Sequence, residues 1–114
     1  MKQLPMQFSF NMDIVGEQSQ KTYKGKFTYE MPTIGIKQQI ANSSYDRRMQ
    51  SDNFDPEYHE VMDICDNLKY CLKECPDWFK KSDYGLHIKD EAPLIEISDQ
   101  ITKFTLKRES LRNE

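Results

Sequence analysis

The stretch YKGKFTYEMPTI, Tyr23 to Ile34, decides the fold. Tyr23, Gly25, Phe27, Tyr29 and Met31 alternate with Lys24, Lys26, Thr28 and Glu30. A period of two is the signature of a strand with one face buried and the other in water. The strand must stop at Pro32, which brings no N–H to a ladder and pushes Met31 into extended geometry. Thr33 is then a predicted N-cap, because its hydroxyl can accept an orphan amide of the first helical turn. The chain turns from extended to helical at this point.

Upstream, Phe8, Phe10, Met12 and Ile14 alternate with Gln7, Ser9, Asn11 and Asp13, and Gly16 to Gln20 is a polar connector. The two runs predict an antiparallel hairpin over about 7–31. Gly25 inside the second run predicts a bulge or a close backbone approach. A lone hairpin is marginal in water, so a helix or another strand must cover its apolar face.

Downstream, Ile34, Ile40 and Ala41 give a first helix a thin apolar side, to about Ser43 or onward through Tyr45 and Met49. Ser51 to Phe54 reads as a loop. Asp55 is an N-cap, and Pro56 suits the first helical position. Val61, Ile64, Cys65, Leu68, Cys71, Leu72 and Cys75 recur at three- and four-residue spacing, which predicts a second helix running to Pro76. Glu57 and Glu60 near its start and Lys69 and Lys73 near its end suit the helix dipole. Asp77, Trp78 and Phe79 read as an exposed corner. Leu86 and Ile88 fit a short extended piece or a loop. Pro93 opens a third helix, whose face is Leu94, Ile97, Ile101, Phe104, Arg108 and Leu111, and the final LRNE is expected to fray. The expected fold class is α+β: an N-terminal antiparallel β-hairpin packed on two to three α-helices. One domain is expected over 1–114, with the helical body at about 33–111.

The chain has 114 residues, 37% of them apolar and 31% charged. Its core must therefore be small, and the domain is expected to lean on a partner or on copies of itself as a homo-oligomer. Net charge is −3, from 16 basic and 19 acidic residues, which argues against a phosphate-binding surface. The charge is uneven. Asp52, Asp55, Glu57, Glu60, Asp63 and Asp66 form an acidic block, whereas the tail carries Lys103, Lys107, Arg108 and Arg112. That asymmetry suits a head-to-tail contact, but solvated helix faces are the better reading. An odd set of 3 cysteines argues against a secreted disulfide framework. The opening MKQLPMQFSF has no apolar signal core, and no run nears the roughly 18 apolar residues of a membrane span. A cytosolic protein without membrane contact is expected.

The side-chain chemistry points away from catalysis. Cys71 and Cys75 share a helical face, but structural zinc needs four ligands, and His59 and His87 do not complete a set. Core cysteines, packed as small hydrophobes, explain the pattern. His59 and Cys65 lie six apart on a helix and point away from one another, so they make no nucleophile–base pair. His87 beside Lys89 and Asp90 reads as a surface or packing residue. The acidic block lacks the ligand order and the central glycine of a calcium loop. The four glycines are scattered, so no phosphate loop is present. Tyr23, Lys24, Lys26, Phe27 and Tyr29 interleave bases and rings as a nucleic-acid-binding strand does. With net charge −3, solvated lysines on a half-buried hairpin are the better reading. No cofactor, metal, nucleic acid or enzymatic activity is expected. Trp78 and Phe79 are either an interface anchor or a plug under the helix ends.

Two stretches carry a resemblance. YKGKFTYEMPTI places Tyr-x-Gly-x-Phe on a strand before Pro-Thr-Ile and a helix. LKYCLKECPDWF, Leu68 to Phe79, is a helix closing on Pro-x-Trp-Phe. Together they resemble small tail-morphogenesis proteins of tailed bacteriophages, of the tail-assembly-chaperone kind. The likeness spans Tyr23 to Phe79 and a generic C-terminal helix, while SSYDRRMQSDNFDPEYHE and the region from Lys80 to Glu91 have no counterpart. It implies a non-enzymatic role in the host cytoplasm, binding tape-measure or tail-tube subunits. A structural virion component of tail, baseplate or connector is the alternative. A small inhibitor of a host enzyme, imitating nucleic acid with its acidic block, is a further one. The hairpin strand is the expected docking edge, and Phe27, Tyr29, Trp78 and Phe79 are the expected contact residues.

Overall fold

A computed structural model describes residues 4–52 and 55–113. Asn53 and Phe54 of the expected loop, and Glu114 of the expected frayed end, lie outside the described residues. The elements run β1 (Gln7–Val15), β2 (Thr22–Glu30), α1 (Ile34–Gln50), α2 (Pro56–Cys71), β3 (Leu72–Glu74), α3 (Asp77–Lys81) and α4 (Ala92–Arg112). The fold is α+β, as the sequence predicts.

β1 and β2 pair antiparallel in one unbroken register, from Gln7↔Glu30 to Val15↔Thr22. The register follows from the two alternations, since a slip of one residue would turn every ring to the wrong face. Phe8, Phe10, Met12 and Ile14 share the inner face with Tyr23, Phe27 and Tyr29. The outer face carries Ser9, Asn11 and Asp13 against Thr28, Lys26 and Lys24. There, Ser9 and Thr28 share a hydroxyl hydrogen bond of 2.7 Å, and Lys24 approaches Asp13 at 3.9 Å.

The main departure from expectation is at the end of the second helix. It stops at Cys71, not at Pro76, and Leu72–Glu74 becomes β3, pairing antiparallel with β2. Leu72 and Cys75 fit a helical stripe by spacing alone. The far edge of β2 has unmet backbone groups, however, and Pro76 already biases Cys75 toward extended geometry. Sheet order is β1-β2-β3, so β2 is the central strand and not the edge that was expected.

Gly25 explains how the chain turns back toward β2. Its φ is +151°, and a Cβ there would lie 2.1 Å from Pro76 Cγ. The close approach predicted at Gly25 is the seat of Pro76.

One core joins the sheet to three helices. Met12, Tyr23, Phe27, Cys65, Leu68, Phe79, Leu94 and Ile97 are its buried members. Phe104 of α4 stacks on Phe8, with centroids 4.5 Å apart. The third predicted helix therefore packs within the domain.

Helix α1 is the exception. It starts where the sequence says, with the Thr33 hydroxyl accepting from the Ile36 amide at 3.1 Å. It runs on to Gln50 without a single buried residue. Its half-buried residues are Ile36, Ile40, Ser43, Ser44 and Arg47, a stripe at helical spacing that faces α2. Ile34 and Ala41, expected on the apolar inner side, are exposed on the other face with Tyr45 and Met49.

Candidate functional site

The hairpin has two long sides, and the structure closes the one on β2, leaving the 3-residue β3 as the sheet's second edge. Met31 N–H donates to Met6 C=O, and Gly16 N–H donates to Lys21 C=O, at opposite ends of the β1–β2 ladder. Both bonds fall on even-numbered residues of the first strand. Because bonded and non-bonded pairs alternate in an antiparallel ladder, Phe8, Phe10, Met12 and Ile14 turn their backbone groups toward β2. On β2, the groups of Lys24, Lys26 and Thr28 point the other way, toward β3.

That second side is sealed in two pieces. β3 covers it at Thr28 and Tyr29. Beyond the end of β3, the Trp78 indole N–H donates to Lys24 C=O at 2.7 Å and stands in for a missing strand. The Trp78 ring packs on Tyr23, Phe27 and Phe79 with centroids 5.2, 6.1 and 5.7 Å away. Trp78 is thus a half-buried plug that finishes the sheet.

The outer side of β1 has no such cover. Gln7, Ser9, Asn11, Asp13 and Val15 turn their N–H and C=O groups outward, and no hydrogen bond between elements engages them among the described residues. Natural edges of this length usually carry lysines, prolines or bulges that block pairing. β1 has 9 residues, no lysine, no proline and a regular register.

Of the expected contact residues, Phe27 and Phe79 are wholly buried and Tyr29 nearly so. They touch each other or their neighbours inside the domain and offer no surface to a partner in this fold. The physical reason lies in the alternation itself: in a strand with one polar face, the rings belong to the face that is covered. Trp78 alone of the four keeps some exposure. The exposed surfaces that sequence reasoning did not single out are the odd-numbered backbone of β1 and the outer face of α1. There Ile34, Tyr45 and Met49 are 87%, 63% and 68% exposed.

The inner face of α1 is held by charge. Arg47 bonds both Asp63 and Asp66, and Arg48 reaches Asp63 at 2.6 Å. Burial opposes ionisation of Asp63, but the Ser44 hydroxyl and the two guanidiniums outweigh it and hold its carboxyl below the usual range.

At the turn end of the sheet, the buried Asp90 accepts from Ser19 Oγ, Tyr23 Oη and the amides of Gln18 and Ser19. A Cβ on Gly16 would lie 2.4 Å from the Asp90 carboxyl, so the turn is built around this side chain. The Ser19 and Tyr23 hydroxyls, aided by the two amides, pull the Asp90 carboxyl down to about 2 against an ordinary 3.8. A depressed folded-state value means stability that is present above about pH 4 and lost as pH falls toward 2. Asp90→Asn is expected to flatten the acid limb of a stability–pH curve measured by urea titration, leaving the smaller contribution of Asp63. An unchanged acid limb would show that the Asp90 bonds do not hold the turn.

Cys65 and Cys71 are buried, Cys75 is half-buried, and all three are free thiols. Burial pushes the Cys65 thiol up to about 11 and raises those of Cys71 and Cys75, so none is poised as a nucleophile. His59 is buried on α2 and His87 is exposed in the turn before α4. Among the described residues no group of His, Cys, Asp or Glu is placed to hold a metal ion, and no helix is long and apolar enough to cross a membrane. No protein-family model, no curated protein and no solved structure matches this chain.

Proposed function

We propose that this chain is a non-enzymatic assembly protein that binds another protein by accepting an added strand on the open side of β1. The observation that carries this reading is the unguarded outer edge from Gln7 to Val15. Main-chain bonds to such an edge supply affinity, and side-chain pockets along it supply selectivity. The resemblance to tail-assembly-chaperone proteins supplies the class of partner: a tape-measure or tail-tube subunit of a tailed phage, met in the host cytoplasm.

The test uses proline at an outward position. Asn11→Pro removes an N–H that faces away from β2, so the β1–β2 ladder keeps all its bonds and the variant folds. Co-expressed with tape-measure and tail-tube subunits, the wild-type chain is expected to capture one of them and Asn11→Pro to lose at least tenfold in affinity. Equal capture by both chains, or by neither, sinks the reading.

A structural virion subunit is the second reading, and the outer face of α1 favours it. A subunit fixed in a particle needs more than one contact, and Ile34, Tyr45 and Met49 offer another beside β1. Mass spectrometry of purified particles separates the two: a chaperone is missing from them, whereas a subunit is present at fixed stoichiometry. The host-inhibitor alternative loses support. Asp63 and Asp66, part of the acidic block, are engaged by Arg47 and Arg48 within the domain.

A further inference from the structure

A cleft of about 640 Å³ opens between the β1–β2 turn and the segment joining α3 to α4. Its walls include Lys21, Thr22, Tyr23, Trp78, His87 and Lys89. Every titratable side chain on these walls other than Tyr23 is basic, in a chain whose net charge is −3. Among the described residues Lys21 and Lys89 form no ion pair, and no hydrogen bond engages the side chains of Lys21, His87 or Lys89. The Asp90 carboxylate, next to Lys89 in the chain, is buried and held by Ser19, Tyr23 and the turn amides, and neither lysine pairs with it. The two lysine ammonium groups have no salt-bridge partner among the described residues.

Both rims are fixed in unusual backbone geometry. Gln20 has φ of 62°, and Asp83, Tyr84 and Gly85 follow one another at 57°, 55° and 93°. A run of left-handed residues that includes a tyrosine is costly and persists only where the surroundings enforce it. Here the Ser82 hydroxyl does so, donating to Phe79 C=O at 2.6 Å and accepting from Gly85 N–H at 3.0 Å. The result is a preformed recess that sets His87 and Lys89, two residues apart, opposite Lys21.

We propose that this cleft binds a small anion that also carries a planar ring, of the nucleoside phosphate class. The lysines meet the phosphate as cations, and a ring nitrogen of His87 is placed to hydrogen-bond it. The Trp78 wall meets the base, since rings stack on bases with little regard to sequence. The volume falls within the range of ligand pockets, about 300–1,000 Å³, and is far larger than a bare phosphate ion needs. This site is distinct from the β1 edge, so its failure leaves the proposed assembly role untouched.

Trp78 is the only tryptophan, so its fluorescence reports directly on the cleft. The full chain is titrated with adenosine monophosphate, adenosine and inorganic phosphate. Saturable quenching by adenosine monophosphate is expected with Kd below about 1 mM, weaker for adenosine, and absent for phosphate. The pair Lys21→Gln and Lys89→Gln should weaken binding at least tenfold, while Lys107→Gln on α4 should not change it. Both cleft lysines are exposed, so the double variant folds, and far-ultraviolet circular dichroism checks this. No saturable quench, a quench equal for phosphate alone, or a quench unchanged in the double variant overturns the proposal.

Discussion

Replacing Phe27 by alanine is expected to cost about 3–5 kcal/mol, the range for deleting a buried phenylalanine side chain. Phe27 is 0% exposed, and the rings of Phe10 and Phe79 each lie 5.3 Å from it. Domains of this kind are stable by about 5–15 kcal/mol in total, so the variant should sit close to its unfolding transition at room temperature. A urea titration measures the loss as a fall in midpoint. Phe27→Leu, which keeps most of the volume, should lose about 1.5 kcal/mol or less. The comparison also separates two roles for the residue. A partner-contact ring would weaken binding at unchanged stability, whereas a core ring lowers stability first. A midpoint that hardly moves in Phe27→Ala would remove Phe27 from the core.

The second large effect is expected at Arg47, with a different signature. Its side chain is 17% exposed and spans Asp63 and Asp66, themselves 37% and 24% exposed. Breaking a fully buried pair costs several kcal/mol; discounted for this exposure, Arg47→Ala should cost about 1–3 kcal/mol. The cost should be local. With no buried residue of its own, α1 relies on this polar seam, while the sheet, α2 and α4 share a separate apolar core. Amide hydrogen exchange should therefore speed up by about ten- to a hundredfold across 34–50, with core amides of β2 and α4 nearly unchanged. Equal acceleration in the core would show that α1 unfolds only with the whole domain.

These two residues mark where the fold could and could not be read from the sequence. The hairpin was legible because its alternation leaves one register that buries the rings. The start of α1 was legible because Thr33 follows Pro32, and the start of α2 because Asp55 precedes Pro56. The end of α2 was not: Leu72 and Cys75 satisfy a helical stripe as well as a strand, and only the open side of β2 decides between them. The same ambiguity misplaced the contact surface. Large rings at Phe27 and Tyr29 resemble interface residues in composition, and their burial depends on α2 and α3 arriving over them from far along the chain. Ile34 and Ala41 were put on the inner side of α1 because they are apolar, yet Arg47 and its aspartates set the rotation of that helix. The Asp90 bonds, which join residues 67 to 72 positions apart, leave no periodic trace.

The sealing of the sheet by Trp78 limits stoichiometry. A domain with two open edges can pass strands from copy to copy and grow into a fibre, because each addition exposes the next acceptor. Here β3 and the indole occupy the far flank of β2, and the new edge that β3 makes is only 3 residues long, so β1 is the one long open edge among the described residues. An added strand from a partner uses it up. Two copies meeting through β1 would use up both long edges at once and pair symmetrically. A growing sheet that reaches β1 meets only the short β3 on the far side, which favours termination over extension.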